Sequence, residues 1–173
     1  MAISTFKIDS TSEDCTSINL KAISSNGLDT VTVIKNPGSA GSTTHTIVAN
    51  LLNPSNNIYT IDGSFLGGVN TDSLDGVWKI TGTELGSGLT SETGTVISCI
   101  IDCCLAKKLN ADLSGCGTCN NCGACNNIDL IAQIFILAES AKYSAAVREY
   151  SNATEKYNKA IDLCANDCTC SGC

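Results

Sequence analysis

The sequence predicts an α+β protein: an N-terminal antiparallel β-sandwich over residues 1–94, then a small Cys-rich α-helical domain over residues 95–173, made of a helix plus a helical hairpin with a loop at 110–126. Three observations predict it. The front part is rich in Ser, Thr, Asn and Gly, and its apolar residues come in short β-branched bursts between turn residues. After Gly94 the apolar residues fall at steps of three and four. Every cysteine of the twelve except Cys15 stands at or beyond Cys99.

The bursts that read as strands are Phe6–Ile8, Ile18–Ile23, Thr30–Ile34, His45–Leu51, Asn57–Ile61, Gly76–Thr83 and Thr95–Ser98. Turn formers separate them: Ser24-Ser25-Asn26-Gly27, Asn36-Pro37-Gly38, Asn53-Pro54, Asp62-Gly63 and Asp75-Gly76. Strand side chains alternate faces, so Trp78 and Ile80 share one side and Lys79 is expected to face water. Short strands at this spacing suggest two antiparallel sheets packed face to face.

Thr95 to Leu109 is apolar nearly all round and ends in Lys107-Lys108. It reads as a strand to about Ile97, then a helix whose last lysines suit the negative end of its dipole. A second helical run starts near Asn127, with Asp129 in its first turn. Ile128, Ile131, Ile134, Phe135 and Ala138 set its apolar spacing, and Tyr143, Ala146, Tyr150, Ala153, Tyr157 and Ala160 continue it. The run to Cys164 is long for one helix, and a break near Lys142 to Ala145 would fold it into a hairpin. The Cys99–Leu105 stretch and the Ile128–Leu137 face are candidates for burial between subunits.

Composition excludes several functions. A net charge of −7 and a single basic pair, Lys107-Lys108, argue against nucleic acid as a partner. No apolar run reaches the roughly 18 residues of a membrane span. The first residues carry no secretory signal pattern, which points to synthesis in the cytosol. His45 is the single histidine and has no nucleophile or acid near it in sequence, so a structural or surface role is expected. Gly86-Ser87-Gly88-Leu89-Thr90-Ser91 starts like a dinucleotide loop but lacks the final glycine and the helix that should follow. Trp78 reads as a core anchor.

The thiols carry the chemistry. Cys116, Cys119, Cys122 and Cys125 are spaced so that four thiolates can surround one Zn2+, with Zn–S bonds of about 2.3 Å. The same spacing matches the first part of a bacterial ferredoxin run, but the fourth cysteine comes one residue early and Asn126 replaces the proline. Disulfides that engage Cys103, Cys104, Cys164, Cys168, Cys170 and Cys173 are the competing reading, since twelve is even and the adjacent Cys103 and Cys104 would tie to different elements. Cys99 and Cys15 read as plain buried apolar residues.

Three segments carry a resemblance: Asp75-Gly76-Val77-Trp78-Lys79-Ile80-Thr81 closing the β part, Ser98-Cys99-Ile100-Ile101-Asp102-Cys103-Cys104-Leu105-Ala106-Lys107-Lys108-Leu109, and Lys159-Ala160-Ile161-Asp162-Leu163-Cys164 ending the hairpin. In this order they resemble small structural virion proteins of tailed bacteriophages, chiefly over residues 75–164. The resemblance implies a virion component without catalysis, made in the host cytoplasm. It implies a homo-oligomer seated on portal, tail or capsid proteins, at the neck, the tail or the capsid surface. A zinc-binding module and a thiol redox protein are the alternatives.

Overall fold

The computed structural model describes residues 3–109 and 128–166. Seven strands come first: β1 (Thr5–Thr11), β2 (Ser17–Ile23), β3 (Leu28–Lys35), β4 (Thr43–Val48), β5 (Ile58–Asp62), β6 (Gly76–Glu84) and β7 (Thr90–Ile97). Three helices follow: α1 (Cys99–Lys108), α2 (Ile128–Ala146) and α3 (Tyr150–Asn166). The strands form two antiparallel sheets, β1-β2-β5 and β4-β3-β6-β7. The α+β class and the sandwich are therefore as the sequence predicts, and each predicted strand overlaps an observed one. Two bounds differ. β4 stops at Val48, where Ala49–Leu52 turns into a 3-10 segment, and β7 begins at Thr90.

Alternation along β6 explains the layering. Trp78 and Ile80 point between the two sheets and are buried there with Ile18, Leu20, Val31, Val33 and Ile61. Full burial of such side chains contributes about 2 kcal/mol each. Trp78 Nε1 donates to the Leu74 carbonyl at 2.6 Å, so the indole is both core and clamp. Val77 points the other way and joins Ile101, Leu130, Ile134, Ala138, Ala141, Ala153, Tyr157 and Ala160 in a second core. The helices thus cover the β6-β7 side of the outer face of β4-β3-β6-β7, giving three layers there.

This layering corrects the expectation that Lys79 faces open water. Its side points to the helices, where its ammonium pairs with Glu92 at 2.7 Å and lies 5.6 Å from the Tyr150 ring centroid. Gly94, the partner of Lys79 on β7, lies under that ring: a Cβ there would meet Tyr150 and, at 2.7 Å, the Trp78 carbonyl oxygen.

The hairpin break also lies later than expected, after Ala146. Arg148 takes a left-handed conformation (φ 65°), Glu149 N–H donates to the Ser144 carbonyl at 2.8 Å and Arg148 N–H to Ala145 at 3.1 Å. That pair of bonds is a Schellman ending. The buried face of α2 consists of Leu130, Ile134, Ala138, Ala141, Ser144 and Ala145. Ile128, Phe135 and Tyr143, which follow the apolar spacing in sequence, stand on the outside. The small residues face inward because α2 packs closely on α3 and β7.

Candidate functional site

The β1–β2 connection is shaped by its own side chains. Ser12 Oγ accepts the N–H groups of Thr16 and Ser17 at 3.0 and 2.9 Å, and Cys15 N–H donates to the Ser12 carbonyl at 3.0 Å. The Ser12 hydroxyl and then Thr16 hold the Asp14 carboxyl below its usual range. This turn leaves Cys15 at φ 58°, a left-handed conformation that costs a non-glycine residue energy and persists only where neighbours fix it. The Leu74 N–H, donating to the Cys15 carbonyl at 2.8 Å, is one such fix.

The next residue, Asp75, is buried and reaches α1. One carboxylate oxygen accepts the Ile100 N–H at 2.8 Å, and the other accepts the Ser73 hydroxyl. Cys99, the first residue of α1, sits beside it, with Sγ 3.8 Å from the Glu13 carbonyl oxygen. Cys15 and Cys99 form a disulfide across 84 residues, with Cα atoms 6.3 Å apart. The ligand atoms of Cys15, Asp75 and Cys99 lie within 4.8 Å of one another. The cluster joins a loop, the entry to β6 and a helix N-terminus. As a disulfide it is a staple; with the thiols reduced it is an S2O donor set suited to a borderline-soft divalent ion.

A second disulfide, Cys104–Cys164, ties α1 to α3 over 60 residues, with Cα atoms 6.1 Å apart. Cys103 is disulfide-bonded as well, and among the described residues no cysteine is free. Cys104 and Cys164 are therefore joined in the manner of the disulfide reading. Cys15 and Cys99, expected to be plain apolar residues, are joined to each other. Cys116, Cys119, Cys122 and Cys125, the predicted zinc ligands, lie outside the described residues, as do Cys168, Cys170 and Cys173. Sequence reasoning missed the Cys15–Asp75–Cys99 cluster, because nothing local marks three residues so far apart as neighbours.

Two surface features remain. The outward side of α2 exposes Ile128 (74%), Phe135 (55%), Ile136 (63%) and Tyr143 (69%). An open, mostly polar groove of about 440 Å³ is lined by Phe6, Thr81, Thr90, Ser91, Glu92 and Arg148. The Gly86–Gly88 segment is the β6–β7 turn, where Ser87 Oγ donates to Glu84 Oε2 at 2.5 Å, so its glycines serve a hairpin. His45 is half-buried on β4 opposite Val33. No helix among the described residues is long and apolar enough to cross a membrane. Comparison of the chain with protein-family models, with curated proteins and with solved structures finds no match.

Proposed function

We propose that the protein is a non-enzymatic structural or adaptor protein that acts by assembling in several copies on other proteins. The observation that carries this reading is the outward side of α2. Four large apolar side chains lie there on the surface of an acidic, Ser/Thr/Asn-rich molecule. Large apolar side chains exposed along one side of a helix support contact with another protein. The disulfides support the same reading, since they fasten the helices to the sandwich and to each other, as suits a part that bears load in an assembly. Placement in a tailed-phage virion, at the neck, tail or capsid surface, rests on the resemblance of residues 75–164. Native mass spectrometry of the full chain, followed by binding to portal, tail and capsid proteins, tests it. Multimers and binding to one of them are expected; a monomer that binds none would overturn it.

A second reading is favoured by one specific observation. Cys15, Asp75 and Cys99 bring two sulfurs and a carboxylate within ligand distance of one ion, which supports a zinc-class metal role.

A further inference from the structure

The segments bearing Cys15, Asp75 and Cys99 are held together by bonds other than the disulfide. Cys15 is anchored through its own carbonyl to Leu74 N–H at 2.8 Å. Asp75 is anchored to α1 through Ile100 N–H at 2.8 Å, and Trp78 grips the Leu74 carbonyl at 2.6 Å. Cutting the S–S bond leaves these anchors in place. The two thiols and the carboxylate then stay neighbours.

As a dithiolate that arrangement is unfavourable without a cation, so the metal-free reduced pair stays protonated. Two thiolates and the carboxylate of Asp75, which is 7% exposed, would crowd negative charge into a poorly solvated site. A divalent ion offsets that charge. Cys99 opens α1, and a helix N-terminus favours the thiolate, the form that binds metal. Around a tetrahedral Zn2+ two sulfurs stand about 3.8 Å apart, which a rotation about χ1 opens from the bonded pair. The Glu13 carbonyl oxygen, 3.8 Å from Cys99 Sγ, offers a candidate fourth donor.

We propose that Cys15, Cys99 and Asp75 form a divalent-metal site present only in the reduced protein, so that redox state selects between a disulfide staple and a bound zinc-class ion. This rests on the zinc reading above and adds its regulation. The chemistry balances. A dithiol reductant gives two electrons and two protons to the Cys15–Cys99 bond, yielding two thiols and the reductant's own disulfide. Zn2+ then binds both sulfurs and releases two protons to solvent. Oxidation by a disulfide-class oxidant re-forms the S–S bond and expels the ion.

The test uses the full chain reduced with a phosphine, then alkylated with and without Zn2+, each cysteine being followed by peptide mass. Zn2+ is expected to slow alkylation of both Cys15 and Cys99 by at least about tenfold, and Asp75→Asn, which keeps an acceptor for Ile100 N–H, is expected to lose that protection. Equal rates with and without Zn2+ would overturn the metal site. Protection that survives in Asp75→Asn would overturn the carboxylate's part in it. Protection combined with an unchanged rate of Cys15–Cys99 re-formation would leave the zinc site standing and overturn its redox control. Should Asp75→Asn fail to fold, Co2+ titration of the reduced chain decides the matter: Cys99→Ser must lose one equivalent of thiolate-to-cobalt absorption, and no loss overturns the proposal.

Discussion

The Asp75 carboxylate accepts the Ile100 backbone N–H at 2.8 Å, so a side chain just ahead of β6 satisfies the first turn of α1 from 25 residues away. The residue in the local capping position, Ser98, makes no side-chain cap bond, and its hydroxyl donates to Asp102 instead. The cap is thus a tertiary contact joining the sandwich to the helical layer. Asp75→Ala should destabilise the oxidised protein by about 1–2 kcal/mol, and Asp75→Asn by much less, because the amide oxygen still accepts. Urea unfolding midpoints check both.

The Cys104–Cys164 bond closes a 60-residue separation between α1 and α3. Chain entropy alone gives such a loop about 4 kcal/mol, an upper figure where other disulfides already restrict the unfolded chain. The double substitution Cys104→Ala/Cys164→Ala should lower stability by about 2–4 kcal/mol, measured without reductant. An unchanged midpoint would mean that the bond is absent in solution.

Gly94 should tolerate no side chain. Its missing Cβ is the space into which the Tyr150 ring fits, and the Trp78 carbonyl closes the other side at 2.7 Å. The ring can swing but the carbonyl belongs to the β6 ladder. Gly94→Ala should therefore cost about 1–3 kcal/mol, with loosening of the β7–α3 contact visible as faster amide exchange in β7.

Tyr150 makes the fold sensitive to alkali. Burial, and then the negative Glu92 beside it, pushes the phenol from 10.0 up to about 12. The folded state favours the neutral ring, so its folded pKa lies above the unfolded one. The stability it contributes is whole below pH 10 and is lost as pH rises through about 12. Tyr150→Phe should flatten the fall in stability between those two values, followed by thermal unfolding at stepped pH.

The strands were legible because their signals are local. Turn formers and β-branched bursts mark them, and the Trp78/Ile80 face follows from alternation alone. The outer face of β6 was not legible in the same way. Lys79 looks like a solvent residue until the helices are known to lie over it, where Glu92 and Tyr150 receive its charge. The hairpin turn was displaced because its left-handed residue is Arg148, whereas glycine or asparagine is the usual signal. The inward face of α2 was not legible for a related reason. Periodicity picks out the largest apolar residues, but close packing on α3 selects Ala138, Ala141, Ser144 and Ala145, leaving Phe135 and Tyr143 outside. In the cysteine chemistry, Cys104 and Cys164 were legible as candidates for disulfides, whereas the joining of Cys15 to Cys99 depends on a fold that brings residues 84 apart together.

Multi-copy assembly through the outward face of α2 is most directly tested by sedimentation equilibrium of the oxidised full chain across a wide concentration range. Species well above the 17.9 kDa of one chain are expected, reduced to single chains by Phe135→Glu, a change on an exposed position that leaves the fold intact. A concentration-independent mass of 17.9 kDa for the unaltered protein would contradict it.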